Sequence, residues 1–349
     1  MSDTMQAAVL HGARDLRIED FAQPTLAPGM VLVRSRKVGI CGSDLHYFHH
    51  GYCASFVPDR PFILGHEVAG EVYSVAPDVT SIKPGQRVAL NPARPCGLCS
   101  YCKAGRINLC RNTIFLGSAS NTPPTNGGLA GFVSVRADQC HVLPDNMDDA
   151  LGAMIEPLAV SLHAVKRAAP IDGKRVLITG AGTIGLLAGL TARAFGALPV
   201  TVSDLVPERR AKALELGLDA ALDPASPSFA AAAASLAPDG FDIVFEASGA
   251  PPALRGAFDL VRPGGTIVQI GTLGTADIPL PANLVMNREI SFIGSMRYSD
   301  VFDECIRLVA AGRIPLRPLL SEVFPLNDAV RAFDLASSRS QAFKVQIAI

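Results

Sequence analysis

Between residues 175 and 270 the chain alternates short, mainly apolar runs with stretches whose apolar residues recur at helical spacing. The runs at 175–179, 200–203, 241–245 and 266–270 predict strands buried on both faces. The stretches at 183–195, 207–216, 226–236 and 253–260 predict helices; Gly217 ends the second, and the alanines at 230–234 are strong helix formers. A further strand is expected at 290–293. Strands and helices alternating through short connections give a parallel sheet covered on both faces.

The first 150 residues follow another pattern. Short strand-like runs at 31–38, 67–75 and 87–90 are separated by turn signals such as Lys83-Pro84-Gly85. They predict an irregular β domain. Helical sequence over 148–167, interrupted at Glu156-Pro157, marks the change between the two patterns. After residue 290 the regularity fades: one helix is expected at 300–311, and the last 25 residues are mixed. A length of 349 residues favours two domains. The expected division is 1–152 with 290–349 as one domain and 153–289 as the other.

Composition narrows the function classes. Hydrophobic residues at 49% and charged residues at 18% allow a large core and argue against disorder. A net charge of −1 gives no basic excess for nucleic acid. No apolar run reaches the roughly 18 uncharged residues of a membrane span. The N-terminus lacks a basic start followed by an apolar stretch, so a cytoplasmic location is expected. Four of the eight cysteines fall between residues 96 and 110. Such clustering reads as metal binding rather than disulfides.

Gly180-Ala-Gly182-Thr-Ile-Gly185 follows a predicted strand and opens a predicted helix, the context that makes G-x-G-x-x-G a dinucleotide site. Gly180 permits the turn, Gly182 admits the pyrophosphate, and Gly185 allows close packing. Asp204 ends the next strand, 19 residues after Gly185. A carboxylate there bonds ribose hydroxyls and repels a 2′-phosphate, which favours NAD over NADP, although Arg209 and Arg210 weaken that preference. The full cofactor-contacting set expected is Gly180, Gly182, Thr183, Ile184, Gly185, Asp204, Arg209, Gly271 and Ser295.

Cys96, Cys99, Cys102 and Cys110 offer four thiolates in one loop, enough to saturate a tetrahedral zinc and make it structural. An iron–sulfur cluster is the competing reading. A second, dispersed set comprises Cys41, His66, Glu67 and Glu156. Taken singly, each of these has an ordinary structural explanation.

Taken together and in order, Gly-Ile-Cys41-Gly-Ser-Asp, Leu-Gly65-His-Glu-Val, the four-cysteine loop and the glycine motif resemble the zinc-containing medium-chain alcohol dehydrogenases. The similarity spans nearly the whole chain. It implies an α/β protein with a GroES-like irregular β catalytic domain and a Rossmann doubly wound parallel sheet. Cys41-Gly-Ser-Asp-Leu-His-Tyr47 and Glu156-Pro-Leu-Ala-Val are similar to the polyol branch, which includes sorbitol and xylitol dehydrogenases. Asn91–Cys96, Phe115–Ala119 and Gly294–Tyr298 are similar to members of that branch that oxidise L-idonate to 5-ketogluconate.

The resemblance implies a catalytic zinc held by Cys41, His66 and an acid, with Glu67 and Glu156 both candidates for that place. It also implies a proton path through Ser43 and the ribose hydroxyls to His46; an ordinary role for Ser43 would be a helix N-cap. Tyr47, Glu156, Arg297 and Tyr298 are the expected substrate contacts. Arg297 suits the carboxylate of a sugar acid, yet sorbitol dehydrogenases also carry an arginine there. The expected partner is therefore a small polyol or sugar acid, bound by a homodimer or homotetramer. A neutral polyol substrate is the alternative, and a non-catalytic nucleotide-binding protein is the alternative of another class.

Overall fold

The computed structural model describes residues 4–274, 276–338 and 340–349. The strand Met30–Gly39 is the spine of the first body. It pairs antiparallel with Glu67–Val75, with Phe132–Arg136 and with the C-terminal strand Lys344–Ala348. Arg87–Leu90 and Cys140–Val142 extend the sheet on one side and Leu320–Pro325 on the other. A smaller sheet of Thr4–Gly12, Asp15–Ala22 and Phe62–Ile63 packs beside it. Val31, Val33, Val38, Val68, Val72 and Val88 fill the core between them, as β-branched residues suit a buried pleated surface.

The second body is a parallel sheet in the order Ala220–Leu222, Val200–Ser203, Val176–Thr179, Phe241–Glu246, Val261–Gln269, Ser291–Gly294. The order reverses at Val176–Thr179, so a crevice opens at the carboxyl ends of the strands there. Its central strands are buried along their whole length. Ala220–Leu222 at the edge escapes sequence reading because three half-buried residues carry no period. The segment after residue 289 first completes this sheet with Ser291–Gly294 and then returns to the first body. The expected boundary at 289–290 therefore falls inside the sheet.

One expectation is corrected and another sharpened. The helical region breaks at 153–154 rather than at Glu156-Pro157, giving Asp149–Gly152 and Ile155–Ala168. Pro157 is the third residue of the longer helix, where an N–H has no intrahelical acceptor to lose. Glu156 is thereby carried on a rigid first turn and buried. Over the last 25 residues the mixed pattern conceals regular elements. They are a helix, Ala329–Ala336, and the strand that lays Lys344 against the end of Met30–Gly39.

Candidate active site

Cys41 caps the helix Gly42–His50 from an extended conformation. Ser43 is therefore the second helical residue and not the N-cap. Asp44, the third, reaches back so that one carboxylate oxygen accepts the Cys41 N–H at 2.9 Å. The other accepts the Gly65 N–H at 3.3 Å and lies 3.6 Å from Nδ1 of His66. One buried carboxylate thus fixes both the turn holding Cys41 and the ring of His66. Burial alone would depress the His66 pKa, but the Asp44 carboxylate and then Cys41 raise it well above its ordinary value. In the sequence Asp44 stands out only as part of the Cys41 motif; an acid at the third helical position is its local signal.

Ligand atoms of Cys41, His66 and Glu67 lie within 4.8 Å of one another. Glu67 starts the strand Glu67–Val75 opposite Gly39, and a Cβ on residue 39 would overlap its carboxylate. Lys344 lies on the far side. Its Nζ donates to both Glu67 oxygens, at 2.7 and 2.8 Å, and to the Ile40 carbonyl at 3.1 Å. The pair is deeply buried, with Lys344 4% and Glu67 1% exposed. Nothing in the linear sequence connects residues 67 and 344, so Lys344 was missed.

Glu156 faces this cluster. Burial pushes its pKa up to about 7, opposed by His66 and assisted by Glu67. The Tyr298 phenol lies beside it and is raised in turn, by burial first and then by the Glu156 charge. Arg297 holds φ +49° immediately before Tyr298. Its guanidinium stacks 4.3 Å from the Phe115 ring centroid, and Phe115 lies 5.4 Å from the His66 ring. Phe115, part of a segment noted for its similarity, therefore links His66 to the arginine. Burial holds Arg297 below its ordinary pKa despite Glu156 and the two tyrosines nearby. Tyr47 is buried edge-on against Phe62, and its hydroxyl accepts the Ala119 N–H at 3.0 Å. Ser43 is half-buried and His46 exposed on the same helix.

The dinucleotide motif sits at the crevice. Gly180 has φ +91°, and a Cβ on Gly185 would overlap the Gly180 carbonyl, so helix and turn pack closer than any other residue allows. Gly182 caps the helix Thr183–Ala194. Asp204 accepts the N–H groups of Ala181 at 2.7 Å and Val206 at 2.9 Å, with Arg209 3.7 Å away. The Thr183 hydroxyl donates to the Phe343 carbonyl at 2.6 Å, tying the helix to the residue before Lys344. Ile184 opens the helix beside it, and its carbonyl accepts from Ser161. Glu246 accepts from the N–H and hydroxyl of Ser248, from the Gly249 N–H and from Gln269, and it packs under Gly271. It braces the loop opposite Gly180 and was another omission. Ser295 follows the last strand, its N–H bonded to the Gln269 carbonyl at 2.9 Å.

In the separate loop, Cys96, Cys99, Cys102 and Cys110 bring their sulfurs within 4.8 Å of one another. Zinc–sulfur bonds of about 2.3 Å at tetrahedral angles put sulfurs about 3.8 Å apart. The Cys99–Cys102 and Cys96–Cys102 separations are 3.6 and 4.0 Å. Cys99 is lowered to about 6, chiefly by the backbone N–H groups of Cys102 and Arg111. Burial and then the neighbouring Cys110 and Cys99 sulfurs push Cys102 the other way, up to about 12. Four sulfurs at this spacing suit a thiophilic cation.

Residues 27–145 match the alcohol dehydrogenase GroES-like domain, and residues 183–311 match the zinc-binding dehydrogenase family. The chain is 38% identical to the sorbitol dehydrogenase of Rattus norvegicus, covering 97% of this chain and 94% of that protein. It is 39% identical to a probable D-xylulose reductase A of Neosartorya fischeri, over 93% and 91% of the two chains. The structure of L-idonate 5-dehydrogenase from Escherichia coli superposes with a TM-score of 0.91 at 34% identity, over 99% and 98%. With its GroES-like body, its parallel sheet and two clusters of potential metal ligands, one of four cysteines and one of Cys41, His66 and Glu67, the chain belongs to the zinc-binding medium-chain dehydrogenases.

Proposed function

We propose that this protein oxidises a secondary alcohol on a sugar acid with NAD, L-idonate to 5-ketogluconate being the favoured reversible pair. The observation that carries the sugar-acid choice is Arg297. Its half-buried guanidinium stacks 4.3 Å from the Phe115 ring centroid, with Tyr298, Glu156 and Tyr47 nearby. A substrate carboxylate could meet that planar group through paired hydrogen bonds. A neutral polyol such as sorbitol or xylitol is the second reading, favoured by the relatives at 38 and 39% identity.

In this reading Cys41, His66 and Glu67 hold the catalytic zinc, with Glu156 close by, and the four-cysteine loop holds the structural one. The bound metal supplies a Lewis acid that acidifies the alcohol, and NAD accepts the hydride. Asp44 orients His66. Ser43 takes the proton leaving the substrate hydroxyl, and His46, exposed on the same helix, carries it to solvent. Tyr298, Arg297 and Tyr47 orient the remaining hydroxyls, and Asp204 selects NAD. A reducing, cytoplasmic setting belongs to the same proposal, because the four-cysteine loop needs free thiols. So does assembly into dimers or tetramers, which would cover the exposed edge strand Ser291–Gly294 with Phe292.

The test is a rate panel with zinc-loaded protein: NADH with 5-ketogluconate, and NAD with L-idonate, sorbitol or xylitol. Turnover confined to the idonate pair supports the proposal. A preference for sorbitol or xylitol moves the assignment to neutral polyols.

A further inference from the structure

The helix Gly42–His50 carries a second arrangement that alcohol oxidation does not use. His46 and His50 are four residues apart, so their side chains stand on one helical face. Both are exposed, and their ring centroids are 5.8 Å apart. Two imidazoles bound to one zinc through bonds of about 2.0–2.1 Å at a tetrahedral angle have centroids about 5.2 Å apart. Histidines at this spacing are how a helix presents two nitrogens to one ion. The Tyr52 ring, 5.9 Å from His50, backs the second imidazole. His49 is already engaged, its Nε2 2.6 Å from the Ser337 hydroxyl.

We propose that His46 and His50 form an inhibitory site for a divalent transition metal of the zinc, nickel and copper class, for which imidazole is a suitable ligand. The ion occupies the lone pair of His46 that would receive the departing proton, so filling the site slows turnover. The inhibition rests on the reading of His46 as the proton outlet; the binding itself does not. Two protein nitrogens leave the remaining positions to water, which makes the site reversible and distinct from the cysteine-containing ones.

The probe is Ni2+, titrated into protein whose zinc sites are loaded, with bound nickel and initial rate of alcohol oxidation followed together. Wild type should bind an additional ion and lose activity with the same midpoint, recovering on chelation with glycine. His50→Ala should keep its nickel-free rate and shift both midpoints upward roughly tenfold or more, because the second ligand of a chelate acts at high effective concentration. Equal midpoints in wild type and His50→Ala would overturn the site. Binding that depends on His50 but leaves the rate unchanged would overturn the inhibition. A His46→Gln variant at full speed would then locate that failure in the proton-outlet reading, and a slowed one in the metal proposal.

Discussion

The Lys344 ammonium grips both oxygens of Glu67 at 2.7 and 2.8 Å, joining the C-terminal strand to the acid beside Cys41 and His66. Burial alone would lower the lysine pKa, yet the Glu67 charge raises it above its ordinary value, so Lys344 keeps its proton. Removing one partner leaves a buried charge unpaired. Lys344→Met should therefore cost about 3–5 kcal/mol in urea unfolding. Adding Glu67→Gln to it should recover part of that loss. A single variant as stable as wild type would show that the contact contributes little.

Ser43 and His46 are assigned to proton movement and not to metal holding. His46→Gln should keep its zinc content and lower kcat by roughly tenfold to a hundredfold, within the range of lost acid–base catalysis. Ser43→Ala should do the same with KM little changed. Loss of zinc in either variant, measured by elemental analysis, would reassign the residue to the metal.

Chemistry and stability should separate at the four-cysteine loop. Cys110→Ser removes a sulfur that accepts the Cys96 N–H at 3.2 Å. It should bind one zinc per chain fewer and melt earlier, while freshly prepared protein retains turnover. Unchanged zinc content would argue that the loop holds no metal.

Asp204 is positioned by two backbone N–H groups, with Arg209 within reach. Asp204→Ala should raise the NADP-to-NAD ratio of kcat/KM roughly tenfold or more, since a like charge beside a 2′-phosphate costs several kcal/mol. An unchanged ratio would show that selection lies elsewhere.

His49 supplies the pH prediction. Burial, then Arg14 and the neighbouring histidines, hold its pKa below 6.5. As pH falls through 6.5 the unfolded chain takes up the proton first, so stability declines until the folded-state pKa is passed. The urea midpoint of wild type should drop more between pH 7.5 and 5.5 than that of His49→Gln. Equal drops would remove His49 as the cause.

The local signals in the sequence determined a great deal. Apolar period marked nearly every strand and helix of the nucleotide-binding body, because a parallel sheet buried on both faces demands continuous apolar runs. The glycines of the dinucleotide turn and the four-cysteine loop were legible because each performs its task within a few consecutive residues.

Only the tertiary structure decided what depends on distant segments meeting. Lys344 reaches Glu67 because the last strand folds back onto Met30–Gly39, and Gly39 makes room for the carboxylate between them. Phe115 joins His66 to Arg297 from a short two-residue strand with no readable period. Glu246 braces Gly271 from a neighbouring strand. Contacts of this kind follow from strand order and register, which pairwise proximity in the chain does not encode.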